Sequence, residues 1–187
     1  MPQYTKKALA EALKAALQTK PLDKITVKEL VETCRINRQT FYYHFQDIYD
    51  LLGWIYQTEA IDSIRYKKSY DTWQQGLLAI FTYVRDNQEL CINTYRSLAR
   101  DHLERFLDEV LNDLLGHVVD EIAADTAAAG EQKQFITRFY SYAFAGVLLD
   151  WLKQGLKTPP ETLARQIGHL MDGTIRAALL RDFPPCD

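Results

Sequence analysis

Residues 38–44 combine hydrogen-bonding and aromatic side chains at a spacing that suits contact with DNA. They read Arg-Gln-Thr-Phe-Tyr-Tyr-His, and Phe45 follows them. In a helix, where each residue turns by about 100°, Phe41 and Phe45 lie on one side, and Gln39 and Tyr43 lie on the other. A glutamine can form two hydrogen bonds with adenine, and a threonine can touch the methyl group of thymine. The pattern therefore indicates a helix that reads base edges with an outward face of Arg38, Gln39, Thr40, Tyr42 and Tyr43.

The start of the chain predicts the three short helices that would position this face. Apolar residues at positions 9, 12, 13, 16 and 17 form one stripe of a first helix, which Pro21 closes. Thr26 and Glu29 form a capping box at the start of a second helix, and Asn37 is the expected cap of the third. Two short helices joined by a tight turn describe a helix-turn-helix. Hydroxyl groups, Arg38 and the N–H groups at a helix start can hold phosphates.

The charge of the chain is unevenly distributed along its length. The whole sequence has a formal charge of −3, from 22 Lys and Arg against 25 Asp and Glu. Residues 1–46 hold eight basic and four acidic residues, which gives +4 there and leaves −7 for the remainder. A basic head on an acidic body favours contact with DNA by the head alone.

Beyond residue 47 the spacing of apolar residues stays helical. The predicted helices are one from Asp47 that fades near Lys67, four over 71–85, 88–100, 101–123 and 131–154, and a last one that carries Leu163 and Ile175. The prediction is an all-α fold of about nine helices. It consists of an N-terminal three-helix head and a larger C-terminal helical domain.

The segment from Ile25 to Phe45 resembles the DNA-binding segment of TetR-type transcriptional regulators. The marks are Ile-Thr-Val at 25–27, Thr-Phe-Tyr-Tyr-His-Phe at 40–45, and Asp47 ahead of Leu51-Leu52. The resemblance covers residues 5–55. It implies base contacts from Arg38, Gln39 and Thr40, and phosphate contacts from Thr26, Asn37, Tyr42, Tyr43 and His44. Since His44 lies only about 60° around the helix from Phe41, a structural histidine is the alternative for this residue.

Two positions depart from the family pattern. The family often has a glycine or another small residue in the turn where Cys34-Arg35-Ile36 stands here. A left-handed conformation at a non-glycine residue would cost about 1 kcal/mol there. The family also commonly has a phosphate-binding lysine at the position of Ile48, which cannot make that contact. Arg35 is the candidate to replace it.

The rest of the chain matches the family in layout, which ends in two long helices that form a four-helix dimer interface. The resemblance implies a DNA-binding domain over 1–47 and a ligand- or partner-binding and dimerisation domain over 48–187. The chain is therefore expected to bind a near-palindromic double-stranded operator as a homodimer, with repression favoured over activation. The apolar residues of the last two helices are either monomer core or dimer interface, and the family layout favours the interface: Leu148, Trp151, Leu152, Leu163, Ile167, Leu170 and Met171.

The sequence leaves two kinds of effector open, a small molecule and a partner protein. The aromatic residues of 70–144 could line a pocket for a small molecule, although helical core is the default for most of them. Arg-Gln-Thr-Phe-Tyr at 38–42 and Leu-Leu-Gly-Trp-Ile at 51–55 are similar to dihydroxyacetone-kinase operon regulators. Some members of that group are co-activators that bind a kinase-like protein in place of a small ligand.

Catalysis and metal binding are not expected. His102, His117 and His169 have no histidine or cysteine at a metal-ligand spacing, and the di-metal motif Glu-x-x-His does not occur. An all-α enzyme is therefore a distant alternative, and no cofactor is predicted. The three cysteines lie far apart in the sequence, which indicates reduced thiols and not a disulfide framework. Without an apolar run of about 18 residues or a signal peptide, a cytoplasmic protein with no membrane contact is expected.

Overall fold

The computed structural model describes residues 2–64, 69–97 and 99–181, which form α-helices and a 3-10 helix (Leu22–Lys24) joined by turns and short loops. No strand occurs in these ranges, and the predicted all-α fold class is confirmed. The predicted end of the fourth helix near Lys67 lies outside the described residues, as does Cys186. The helices are α1 (Pro2–Leu17), α2 (Val27–Thr33), α3 (Arg38–His44), α4 (Ile48–Ile64), α5 (Trp73–Asp86), α6 (Gln88–Tyr95), α7 (Arg100–Ala123), α8 (Gly130–Lys153), α9 (Pro160–Met171) and α10 (Thr174–Leu179).

The described residues divide into two compact units, and the first contains those of Met1–Asp62 and Asp86–Phe106. Its core draws Leu9 and Leu13 from α1 and Leu51 and Ile55 from α4, all fully buried. The helices that follow the predicted head thus contribute to the same compact unit. The predicted boundary at residue 47 separates a DNA-binding segment from a regulatory one and does not coincide with the edge of a compact unit, so it stays a prediction.

A buried polar contact joins α4 to α6 in this unit. The Tyr56 hydroxyl donates to Thr94 Oγ1 over 3.0 Å, and Thr94 Oγ1 donates to the main-chain oxygen of Leu90 over 2.8 Å. The Tyr56 ring also stacks on Phe106 of α7, with 4.8 Å between the ring centroids. Burial raises the pKa of the neighbouring Cys91 thiol to about 12, against the opposing effect of its hydrogen bond with Tyr56. The paired hydroxyls avoid the cost of an unsatisfied polar group in the core.

The second unit contains the described residues of Ser63–Arg85 and Leu107–Asp187. Aromatic pairs connect α8 to α5: the rings of Trp73 and Phe144 lie 6.3 Å apart, and those of Phe81 and Trp151 lie 5.3 Å apart. Trp151 Nε1 also donates to the main-chain oxygen of Thr158 over 2.8 Å, which holds the loop between α8 and α9. Trp73, Phe81 and Phe144 form core, as the default interpretation of the aromatic residues of 70–144 expected, and Trp151, which was assigned to the dimer interface, is buried with them.

The last predicted helix is broken in two. The sequence analysis placed Ile175 on the same helix as Leu163, but α9 ends at Met171 and α10 begins at Thr174. Gly173 between them has φ of +69°, a left-handed conformation that interrupts helical hydrogen bonding. The Asp172-Gly173 pair is a turn signal that the apolar spacing had outweighed.

Most of the residues predicted for the dimer interface are buried in the core of the second unit. Only Leu163, which is half-buried, and Leu170, which is 76% exposed, leave surface for a partner. The others form monomer core, which was the alternative that the sequence left open. Apolar spacing shows which side of a helix is covered and does not show what covers it. The buried residues are between 1% and 7% exposed, namely Leu148, Trp151, Leu152, Ile167 and Met171.

Candidate nucleic-acid interface

The two helices of the helix-turn-helix begin at their predicted caps. Thr26 Oγ1 accepts a hydrogen bond from the Glu29 N–H over 3.3 Å at the start of α2. Asn37 Oδ1 accepts from the Thr40 N–H over 2.7 Å at the start of α3. Each cap satisfies an N–H group that has no partner within its own helix. The side chains of Thr26 and Asn37 therefore determine where α2 and α3 begin.

The turn between the helices has the left-handed residue that the departure from family pattern predicted. Arg35 has φ of +54°, and its N–H donates to the Glu32 oxygen over 3.2 Å. The Ile36 N–H donates to the Val31 oxygen over 3.0 Å. This pair of bonds is a Schellman motif, which usually has glycine at the left-handed position. Arg35 is exposed, so its guanidinium is accessible to solvent.

The two sides of α3 differ sharply in exposure. Phe41 is completely buried, whereas Tyr43 is 80% exposed. Thr40 and His44 are half-buried. This is the orientation that the helical angles predicted. The remaining exposed side chains of the face are Arg38, Gln39 and Tyr42.

A cation–π cluster holds the inner side of this segment. Phe45 packs against Trp54 of α4, with ring centroids 5.9 Å apart. Lys6 Nζ of α1 lies 5.2 Å from the Phe45 ring centroid and 5.7 Å from that of Trp54. The sequence analysis missed this role of Lys6 and Trp54, which are too far apart in sequence for helical spacing to relate. The cluster joins the end of α3 to α1 and α4.

Several cations of the head are engaged in ion pairs within the protein. Lys20 Nζ lies 2.6 Å from Glu29 Oε2, and Lys14 Nζ lies 2.6 Å from Glu59 Oε1. Lys28 pairs more loosely with Glu32 at 3.8 Å. Within the described residues, the exposed cations of the head without an ion pair are Lys7, Lys24, Arg35 and Arg38. These four remain available for phosphate groups.

The start of α4 carries two carboxylates where the family commonly has a phosphate-binding lysine. Asp47 Oδ1 accepts from the Asp50 N–H over 2.8 Å, and Asp50 Oδ2 accepts from the Gln46 N–H over 2.9 Å. The half-buried Ile48 between them adds no charge. Because both aspartates are exposed, this edge of the head repels phosphate.

Two family models match this chain, one over each part. The first, described as bacterial regulatory proteins of the tetR family, covers residues 7–53. The second, described as a transcriptional regulator C-terminal region, covers residues 71–173, more than half of the chain. The chain belongs to the TetR family. The match over 7–53 contains the whole helix-turn-helix, so the resemblance inferred from its motifs is confirmed.

Relatives with known names extend this result. The transcriptional activator DhaS of the dhaKLM operon in Lactococcus lactis is 28% identical over 174 residues, 92% of this chain and 91% of the relative. A solved structure of DhaS, the dihydroxyacetone kinase operon activator, is 27% identical with a TM-score of 0.74, over 92% of this chain and 97% of that one. The similarity predicted to dihydroxyacetone-kinase operon regulators is thereby supported.

The fold is shared more widely than the sequence. The structure of NalD, the secondary repressor of a multidrug efflux pump in Pseudomonas aeruginosa, matches with a TM-score of 0.63 at 15% identity. It covers 97% of this chain and all of the NalD chain. At this identity the match concerns fold alone.

Two of the surface hollows in the described part of the second unit of this TetR-family chain lie along α8. A polar cleft of about 450 Å³ lies between α7 and α8, and it is lined by Asn112, Gly116, Asp120, Gly130, Lys133, Gln134, Thr137 and Arg138. A smaller apolar hollow of about 190 Å³ lies between α8 and α10, next to Phe135 and Phe139. Among the described residues there is no helix suited to crossing a membrane and no His, Cys, Asp or Glu group suited to a metal ion.

One side of α8 carries an unusual number of exposed apolar groups. Phe135, Phe139 and Tyr142 are each more than half exposed, and they recur at helical spacing. Ala143 and Gly146 continue the same side and are also exposed. We call these five residues the α8 stripe. Exposed apolar patches of this kind usually mark an interaction surface.

Proposed function

We propose that this chain binds a two-fold symmetric operator as a homodimer, with α3 of each protomer in the major groove. The observation that carries the proposal is the opposite exposure of the two sides of α3, with Phe41 buried and Tyr43 outward. A face of Gln, Tyr, Thr and Arg offers base-reading and phosphate-binding groups rather than a mixture of Lys and Glu. The assigned base contacts are Arg38, Gln39 and Thr40.

The capping residues can bind phosphates without giving up their caps. Thr26 uses oxygen lone pairs to cap α2, so its hydroxyl proton is free to donate. Asn37 uses its carbonyl oxygen, so its side-chain NH₂ group is free. The other assigned phosphate contacts are Arg35, Tyr42, Tyr43 and His44.

Dimerisation would cover the α8 stripe together with Leu170 and Leu163 of α9. These exposed apolar groups replace the buried residues as our assignment of the dimer interface. Ala143 carries only a methyl group and Gly146 has no Cβ, so two copies of α8 could approach closely where they cross. A two-fold symmetric dimer matches a two-fold symmetric operator, whose half-sites lie about 34 Å apart.

Whether the chain activates or represses transcription is inferred from its similarity to DhaS and not from the geometry of the structure. The sequence analysis favoured repression, but DhaS is described as an activator and is similar over nearly the whole chain. We therefore favour activation at an operator, with an effector acting through the C-terminal domain. A second candidate is a co-regulator whose C-terminal domain binds a partner protein in place of a small ligand. The resemblance to dihydroxyacetone-kinase operon regulators, some of which bind a kinase-like protein, is what supports this candidate.

Operator binding can be tested with a duplex enriched from random DNA by the full-length chain. Gln39→Ala combined with Tyr43→Ala should abolish binding in fluorescence anisotropy and leave the circular dichroism spectrum unchanged. The matched control is Gln75→Ala with Tyr70→Ala, two exposed residues of the second unit. Wild-type affinity in the Gln39/Tyr43 variant would refute the assigned face. A reporter downstream of the enriched duplex distinguishes activation from repression.

A further inference from the structure

The hydroxyl proton of Thr40 is already engaged in a hydrogen bond within the protein. Asn37 Oδ1 accepts two hydrogen bonds, from the Thr40 N–H at 2.7 Å and from Thr40 Oγ1 at 2.9 Å. A backbone N–H can only donate, so the Asn37 atom is the amide oxygen. An amide oxygen can only accept, so Thr40 Oγ1 must be the donor in the second bond.

This bond restricts what Thr40 can recognise on a base pair. With its proton engaged, Thr40 offers only the oxygen lone pairs and the methyl group. Guanine presents acceptors alone in the major groove, so Thr40 cannot hydrogen-bond to it without giving up its hydroxyl bond to Asn37. Thymine presents the O4 acceptor and the C5 methyl, and only the methyl can be met by Thr40.

We infer that Thr40 selects thymine through contact between its own methyl group and the C5 methyl of the base. The inference rests on the proposed function, because it requires α3 to lie in the major groove. Thr40 Oγ1 donates its proton to Asn37, and the whole residue keeps part of its surface exposed, so apolar contact through the methyl group is the interaction with thymine that stays open to this side chain. The lone pairs could instead accept from cytosine N4 or adenine N6, and the experiment below distinguishes these outcomes.

The test uses the enriched operator with each thymine replaced, one at a time, by deoxyuridine. This change removes the C5 methyl and keeps the pairing edge intact. Loss of one buried methyl contact should raise Kd about fourfold per half-site, and about 15-fold when both half-sites are changed. One symmetric pair of thymines should show this loss with the wild-type chain.

Two substitutions link the effect to Thr40. Thr40→Ser keeps the hydroxyl donor to Asn37 and removes the methyl, so it should lose about fourfold per half-site and become insensitive to deoxyuridine. Thr40→Val keeps a methyl group and removes the hydroxyl, so it should retain the sensitivity. Thr19→Val is the matched control, because the Thr19 hydroxyl also donates to a local oxygen, that of Ala16 at 3.0 Å.

The possible failures are distinguishable. If no duplex is enriched, the proposed function fails and the inference fails with it. If a duplex is enriched but Thr40→Ser keeps full deoxyuridine sensitivity, the inference alone is overturned. It is also overturned if Thr40→Val loses discrimination at a cytosine or adenine instead, since that result would assign the readout to the oxygen lone pairs.

Discussion

The side-chain amide of Asn93 on α6 donates to the main-chain oxygen of Leu17 over 3.2 Å. Leu17 is the last residue of α1, so its carbonyl has no partner within the helix. The contact therefore satisfies the C-terminal end of α1 from a helix that lies 76 residues further along the chain. It belongs to the first unit, in which α1 and α6 pack together.

Replacing Asn93 should weaken this unit measurably. Asn93→Ala should lower the free energy of unfolding by about 1 kcal/mol, because one side-chain hydrogen bond is lost. Asn93→Asp should cost more, since it sets a carboxylate against a carbonyl oxygen. Urea denaturation followed by circular dichroism measures both. Gln18→Ala, an exposed substitution at the same end of α1, is the control and should change stability by less than about 0.5 kcal/mol.

The ion pair between Lys14 and Glu59 predicts a pH dependence of stability. Burial lowers the pKa of Lys14, but the hydrogen bond and charge of Glu59 outweigh it, so the pKa lies above the ordinary 10.5. A cation with a raised pKa in the folded state stabilises the protein fully below the unfolded value, and that contribution disappears as pH rises through the folded value.

The pair's contribution should therefore be constant up to about pH 10 and decline above 10.5. In urea titrations between pH 8 and 11.5, Lys14→Met should be less stable than wild type at pH 8 and approach it at the upper end. Lys7→Met removes an exposed lysine without an ion pair and should follow the wild-type curve. Parallel curves for wild type and Lys14→Met would contradict the assigned pair.

Arg35→Gly should change stability and DNA affinity in opposite directions. Glycine adopts the observed φ of +54° without steric cost, so the free energy of unfolding should rise by up to about 1 kcal/mol. If Arg35 contacts phosphate, operator affinity should fall, and the slope of log K against log salt should become shallower by about 1 per head. Arg35→Lys keeps the charge and the left-handed strain, so it should leave both quantities close to wild type.

The α8 stripe should control the oligomeric state independently of folding. Phe139→Asp places a charge on a residue that is 59% exposed, so sedimentation should show a monomer with unchanged helicity. Trp151→Ala should instead lower the free energy of unfolding by about 3–5 kcal/mol, because Trp151 is core. Gln134→Asp, on another side of α8, is the control and should stay dimeric. Dimers of Phe139→Asp would refute the proposed interface.

Local signals predicted the head of this protein well. Thr26 and Asn37 act over three residues, so the starts of α2 and α3 could be inferred from their own neighbours. The orientation of α3 followed from the angle between Phe41 and Tyr43 alone. The role of Lys6 could not be inferred in this way, because its contact with Trp54 depends on the packing of α1 against α4.

The second unit was harder to predict because α8 has apolar groups on more than one side. Leu148 is buried in the chain while Phe139 is exposed, although both fit a helical apolar pattern. Choosing between core and interface requires knowing which neighbouring helix covers each side, and that information is not local. The break at Gly173, by contrast, had a local signal in the sequence. That signal is a single glycine, and the apolar repeat on both sides of it favoured one continuous helix.

The paired carboxylates of Asp47 and Asp50 have a consequence for binding to DNA of arbitrary sequence. Both accept hydrogen bonds at the start of α4, so replacing either one would loosen that helix. Phosphates repeat with every base pair, so two fixed negative charges at this edge lower the affinity of the head for every duplex by a similar amount. With the sequence-independent attraction reduced in this way, a larger share of the binding free energy at an operator must come from base contacts.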